Sequence, residues 1–360
     1  MAIDSASRSH RVDLGSVTKV PSIDEDSRTA AYRRLDVLTK PRGALGRLEP
    51  LAAQICAIQR TLDIRVSHPV GIVFAADHGV ASHGVSAYPR EVTLQMVANF
   101  LAGGAAISVL AKLHDIDLWI VDAGVDGDCG THPRLIDAKI RRGTRSFVDE
   151  PAMTQVECAE ALLRGREAVD RAMSADSNVL ILGEMGIGNT ASAAVLMHGL
   201  TGEDLIDCIG RGTGLDDGGL ERKRKVLGQA LARRAAPRDP VDLLTEFGGY
   251  EIAMLTGAVL AAAARRSLII VDGFTVSVAT ALAARLDPGV LQYCVFGHCS
   301  EEHAHRALLA HLDARPLLDL GKRLGEGTGA ALALPIVRAT VALFTQMATF
   351  EGAGVSDKDA

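Results

Sequence analysis

The chain is 360 residues long, 48 % hydrophobic, 23 % charged and only 4 % aromatic, with a formal net charge of −6 at pH 7. That length buries a sizeable core in one large or two modest domains, while the acidic balance and scarce aromatic platforms argue against nucleic acid or an anionic membrane as partner. The polar start, MAIDSASRSHRVDLGS, lacks a signal-peptide core, and Cys56, Cys129, Cys158, Cys208, Cys294 and Cys299 show no paired spacing, so reduced thiols in a cytoplasm are expected.

In chain order, residues 1–25 read as a loose tail. DSRTAAYRRLDVLTK and GALGRLEPLAAQICAIQRTL follow as helices with no strand between them, so 26–65 is expected to be wholly helical. From residue 66 short β-rich runs alternate with helical ones. HPVGIVFAADHG, IDLWIVDAGVD, NVLILGEMG, RSLIIVDGF and LQYCVFGHCS each read as a buried parallel strand ending in Gly, Asp or His. Helices are expected at roughly 90–113, 155–173, 189–200, 217–234, 249–264, 273–286 and 301–312. Such alternation predicts an α/β domain over 66–322, its parallel sheet covered by helices on both faces. The segment 323–360, a glycine-rich turn and a long apolar helix, is expected to join 26–65 in a small helical lobe. Ligands of parallel sheets gather at the carboxyl ends of strands. Here those ends carry Asp77–His78, Asp122, Glu184, Asp272 and His298.

The sharpest local signal is NVLILGEMGIGNTASAAVLMHGL. A strand runs into Gly186, Ile187, Gly188, Asn189 and Thr190 and then a helix of small residues, where an anion can meet free N–H groups and the positive end of the helix. A dinucleotide site would need a second strand ending in an acid about twenty residues on. TGEDLIDCIGRGTG supplies none, and Glu184 would repel a pyrophosphate, so a single phosphate is favoured over a dinucleotide or a plain turn. GRGTGLDDGGLERKRKVL brings Lys223 on a helix whose other basic residues read as a solvated face. FGHCSEEHAH brings Ser300 to a cap position. His298, Cys299, Glu302, His303 and His305 raise a metal reading, but their spacing matches no established motif, and no metal or cofactor is expected. RLGEGTGAAL places Glu326 between two glycines at the entrance of the apolar helix, where a ligand can approach closely.

Together GEMGIGNTASAAVL, FAADHGVASHGVSAYPREVTLQMVANFLAGGAAISVLA, KPRGALGRLE, GTGLDD, VDGFTVSVA and RLGEGTGAALAL resemble the nicotinate-nucleotide:dimethylbenzimidazole phosphoribosyltransferase family from about Thr39 onward. The resemblance implies a Rossmann-like sheet, a small helical lobe built from both termini, and a homodimer. It implies transfer of phosphoribosyl from nicotinate mononucleotide to dimethylbenzimidazole, giving α-ribazole phosphate and nicotinate in cobalamin biosynthesis. It assigns Glu326 as general base and Glu184 as a second acid beside the ribose. Ser86, Tyr88, Gln95, Met96 and Leu324 fall to the acceptor pocket. Gly186, Ile187, Gly188, Asn189, Thr190, Lys223 and Ser300 fall to the phosphate and ribose. The family pattern is departed from at Cys299 and at His303–Ala304. Alternatives are a relative with a different base or phenolic acceptor, a nucleotide-binding module without transferase activity, and a metal-dependent hydrolase built on His78, His298 and His303.

Overall fold

A computed structural model describes residues 19–212 and 214–356; most of the predicted 1–25 tail and the last four residues lie outside them. Helix α1 (Glu25–Asp36) starts where the Asp24 carboxylate accepts from the Asp26 and Ser27 N–H groups, and α2 (Leu48–Gln59) follows it. The segment before α1 is anchored: Val20 and Ile23 are buried, and the Val20 N–H donates to Asp287 at 3.1 Å.

The next stretch holds β1 (Val70–Ala76), α3 (Val92–Leu101), α4 (Ala106–Leu113), β2 (Asp117–Gly124), β3 (Leu135–Asp137), α5 (Gln155–Ala172) and β4 (Val179–Met185). After β4 come α6 (Asn189–Thr201), α7 (Leu205–Cys208), α8 (Asp217–Arg233), α9 (Pro240–Phe247), α10 (Tyr250–Ala264), β5 (Leu268–Val271) and α11 (Phe274–Leu286). The chain closes with β6 (Cys294–Phe296), β7 (His298–Cys299), α12 (His305–His311), β8 (Leu318–Asp319), α13 (Thr328–Gln346) and α14 (Phe350–Ala353).

Six strands form one parallel sheet in the order β3-β2-β1-β4-β5-β6, and β7 pairs with β8 separately. Every residue of β1 is buried, as a central strand covered on both faces requires. The chain builds outward from β1 to β3 and then returns to place β4 on the other side of β1. The carboxyl ends of β1 and β4 therefore flank the point where winding reverses, which is where an open α/β sheet leaves a crevice.

The five predicted strands are present, the last of them divided at Gly297 into β6 and β7 of separate sheets, and β3 and β8 are additions too short to show a sequence period. The single helix expected over 90–113 is two helices, α3 and α4, broken at Gly103–Gly104. Helix α12 starts at His305 rather than 301. Ser300 Oγ accepts from the Glu302 N–H at 3.2 Å and the Ser300 N–H donates to His305 Nδ1 at 2.9 Å, so side chains take the bonds that another helical turn would use. Two stretches, Val92–Leu113 and Thr328–Gln346, have the length and hydropathy of a membrane span. The first is the broken α3–α4 pair, and the second, α13, packs against α2, α4, β4 and β5. Near its end α13 meets α1: Arg34 donates to the Phe344 and Thr345 carbonyls, and Leu38 bridges Thr349.

Candidate active site

A cleft of about 760 Å³, open mouth included, lies at the winding reversal. Its floor is the β4–α6 turn. Gly188 takes φ +99°, which an L side chain rarely adopts, and starts α6. A Cβ there would come within 3.2 Å of both His78 Cβ and Ala81 Cβ. The missing side chain thus makes room for the chain beneath the turn, rather than only for a ligand above it. The Ile187 N–H is taken by Thr93 Oγ1 at 3.1 Å and the Asn189 N–H by the Gly186 carbonyl, also at 3.1 Å. The N–H groups of Gly188 and Thr190 have no acceptor among the described residues and remain for an anion.

Behind the turn Lys223, fully buried, donates to Thr190 Oγ1 at 2.9 Å and to the Gly210 carbonyl at 3.1 Å. Burial brings its pKa down to about 8, opposed by the Glu302 carboxylate. Because the ammonium fills the acceptor side of Thr190 Oγ1, the hydroxyl proton is free to point elsewhere. Arg211 and Arg323 line the same cleft; Arg323 donates to the Gly212 carbonyl at 3.1 Å. Neither arginine stands out in the sequence.

On the wall opposite, Gly325, Glu326 and Gly327 take φ values of 82°, 64° and 85° in succession. Glu326 is a non-glycine residue in the left-handed region, a conformation that costs about 1–2 kcal/mol and persists only when its surroundings hold it. Asp272, at the end of β5, holds it. Its Oδ2 accepts from the Gly327 N–H at 3.0 Å and its Oδ1 from Gly329 at 2.7 Å and Ala330 at 3.1 Å. Burial alone would raise the Asp272 pKa. His298, whose Nε2 lies 3.3 Å away, and Lys322 outweigh it, so the carboxyl is held below its ordinary range and stays ionised. From the other side Gly183 of β4 lets the turn settle on the strand, since a Cβ there would sit 2.5 Å from the Glu326 carbonyl carbon and oxygen.

Two carboxyls in this region are shifted upward. Burial, then the negative charge of Asp272, raises Glu326 to about 7, with Lys322 and the Ile107 N–H at the start of α4 pulling the other way. Its Oε2 is buried without a hydrogen-bond partner. Glu184 rises to about 8 through burial and the charges of Asp272 and Glu251, eased by a hydrogen bond from Asn189 Nδ2. Burial thus shifts Glu184 toward its neutral form. Leu324, at 49 % exposed, is too open to be what raises Glu326.

The cleft brings together Ser86, Glu184, Gly186, Ile187, Gly188, Asn189, Thr190, Ser300 and Leu324. Glu326 is one residue beyond its lip, its carboxyl turned toward α4. Lys223 stands behind the floor, bonded to Thr190. Tyr88, Gln95 and Met96 do not line this cleft: Tyr88 and Gln95 are exposed, and Met96 packs partly on the core. The histidines of the metal reading are separated by their own partners. His78 faces Glu251, His298 faces Asp272, and His305 bonds Ser277 Oγ at 2.9 Å. No group of three or more His, Cys, Asp or Glu suited to a metal ion occurs among the described residues.

A phosphoribosyltransferase family profile matches residues 20–355. The nicotinate-nucleotide–dimethylbenzimidazole phosphoribosyltransferase of Cupriavidus taiwanensis is 57 % identical over 94 % of this chain and 98 % of its own. That of Roseiflexus castenholzii is 46 % identical over 95 % and 97 %. The solved structure of the Thermus thermophilus enzyme of the same name superposes with a TM-score of 0.89 at 42 % identity, covering 93 % of this chain and 100 % of that one.

Proposed function

The chain belongs to the nicotinate-nucleotide–dimethylbenzimidazole phosphoribosyltransferase family, and from that premise we propose that Glu326 is the general base of a transfer of phosphoribosyl from nicotinate mononucleotide to dimethylbenzimidazole. The observation that carries the assignment is the Glu326 carboxyl itself: buried, with Oε2 unpartnered, tuned to about 7, and fixed by a turn that Asp272 and Gly183 over-determine.

The chemistry asks for one base. Nicotinate leaves the ribose as a neutral pyridine from a cationic pyridinium, so its nitrogen requires no acid. The attacking benzimidazole nitrogen would become cationic unless the proton on its other nitrogen is removed, and a carboxylate with a pKa near 7 does this at neutral pH. An acceptor held by Glu326 attacks the face opposite the leaving group, which inverts the β-linked sugar to α. The acceptor would sit between the 324–326 turn and the α3–α4 segment, with Ser86 and Leu324 at the junction with the nucleotide cleft. Gly188 and Thr190, backed by Lys223, would hold the 5′-phosphate. Glu184, shifted by burial toward its neutral form, would be drawn back to the carboxylate as the pyridinium arrives and then face positive charge developing on the ribose.

The six cysteines are all unpaired, as suits a reducing cytoplasm. We also propose a homodimer. The α3–α4 segment is apolar but only 33 % buried, with Val109 and Leu113 57 % and 67 % exposed, and a second copy of the chain would cover it. Incubation with nicotinate mononucleotide and a panel of benzimidazoles and phenols, with mass analysis of products, tests the acceptor. α-Ribazole phosphate should form fastest. A phenolic riboside 5′-phosphate as the dominant product would reassign the acceptor, and no product from any base would leave only a binding module.

A further inference from the structure

Beneath the phosphate turn lies a buried histidine–carboxyl contact that the mechanism above does not use. His78, which follows β1, places Nε2 at 2.6 Å from Oε1 of Glu251 in the first turn of α10, and both side chains are fully buried. Three glycines close on it. A Cβ at Gly249 would fall 2.3 Å from His78 Cε1 and 2.5 Å from Glu251 Oε2. A Cβ at Gly186 would stand 3.4 Å from both Glu251 Oε1 and His78 Cδ2, and one at Gly188 would stand 3.2 Å from His78 Cβ. The glycines of the anion turn are thus packed onto this pair.

A buried carboxylate under an anion site is an electrostatic liability. Glu251 would oppose a phosphate dianion above it through a poorly screened interior. Its partner in the structure is the His78 imidazole, at hydrogen-bond distance. We propose that His78 is a positioning and neutralising residue for the nucleotide phosphate, pairing Glu251 so that the Gly186–Thr190 turn presents its N–H groups over a site with no net negative charge. Neither residue touches substrate; both act through the turn. The proposal rests on the reading that this turn holds the 5′-phosphate.

The test compares KM values for nicotinate mononucleotide and dimethylbenzimidazole in the parent, His78→Gln, and the double variant His78→Gln/Glu251→Gln, with melting temperatures followed throughout. His78→Gln leaves Glu251 without its imidazole partner and should raise the nucleotide KM by about tenfold or more, with the base KM within about twofold of the parent. Adding Glu251→Gln removes the charge and lets two amides bond each other, so the nucleotide KM should return to within about threefold of the parent. A merely structural pair predicts the opposite order, with the double variant worse than the single. A nucleotide KM unchanged in folded His78→Gln, or no recovery in the double variant, overturns the proposal.

Should His78→Gln fail to melt cooperatively, Glu251→Asp carries the test. It keeps the charge but withdraws it from the imidazole, and the nucleotide KM should rise by about fivefold; no change overturns the proposal. Nicotinic acid riboside separates the two ways of failing. If the parent binds it as tightly as the mononucleotide, the turn does not hold the phosphate and the proposal falls with that reading. If the parent discriminates but the His78 variant leaves the mononucleotide KM untouched, the phosphate reading stands and only the role of the pair is lost.

Discussion

At the scale of the residue, the burial of Glu326 costs stability once its carboxyl ionises. Its carboxyl is raised from an ordinary 4.5 to about 7, mainly by burial. Because the folded pKa lies above the unfolded one, stability is fullest below about 4.5, declines as pH climbs to about 7, and is level beyond that. The decline amounts to at most about 3 kcal/mol. Glu326→Gln removes the ionisation and should be more stable than the parent at pH 8, with the advantage gone at pH 4. Thermal melts of both proteins across that range check the sign; an advantage independent of pH would mean that the carboxyl is not strained by burial. The acid between glycines was visible in the sequence because Gly-Glu-Gly before an apolar helix gives an exposed carboxylate no reason to be there. Asp272 was visible only as a strand end. Its grip on the turn joins residues more than fifty positions apart, and no local pattern encodes that. The His78–Glu251 pair was hidden for the same reason, since Glu251 opens a run that otherwise reads as pure core. Lys223 shows a different gap: its residue type and helix were legible, but its position behind Thr190 was not.

At the scale of the element, the site is two turns pressed against one strand. Strand β4 ends in the phosphate turn and, two residues before Met185, carries Gly183, against which the Glu326 turn rests. Gly183→Ala would place a Cβ 2.5 Å from the Glu326 backbone, which is not a flexible side chain that can swing aside. The turn should shift while the phosphate turn, which begins three residues beyond Gly183, keeps its own hydrogen bonds to Thr93 and Lys223 and its shape. We expect kcat to fall by about tenfold or more, because a displacement near 1 Å is enough to misalign a base. The KM for nicotinate mononucleotide should stay within about threefold. Steady-state kinetics of the folded variant decide this, and equal loss in both parameters would refute the separation of the two turns. The long elements were legible because each carries many repeats of its period. The breaks were not: α3 and α4 part at Gly103–Gly104, and α12 is delayed to His305 by side-chain bonds that hydropathy does not register.

At the scale of the whole molecule, strand order decides where chemistry can occur. The alternation of strands and helices announced a parallel sheet, but only the order β3-β2-β1-β4-β5-β6 shows that β1 and β4 flank the winding reversal, and so why His78, after β1, comes to lie beneath the Gly186–Thr190 turn that follows β4. The unpartnered α3–α4 face belongs to this scale too. If it is a dimer interface, Val109→Asp with Leu113→Asp should shift the sedimenting species from dimer to monomer at micromolar concentration, since charge cannot be buried unpaired there. A parent that sediments as a monomer would contradict the homodimer.

The proposed transfer depends on the proton that Glu326 would take from the acceptor, and the most direct measurement is the turnover of Glu326→Gln beside the pH profile of the parent. With both substrates saturating, the parent rate should rise with pH through about 7 and then level, as a base with that pKa loses its proton. Glu326→Gln should bind nicotinate mononucleotide as the parent does, turn over at least about a hundredfold more slowly, and show no rise in that range. A folded Glu326→Gln that forms α-ribazole phosphate at close to the parental rate, with the same pH profile, would contradict the account.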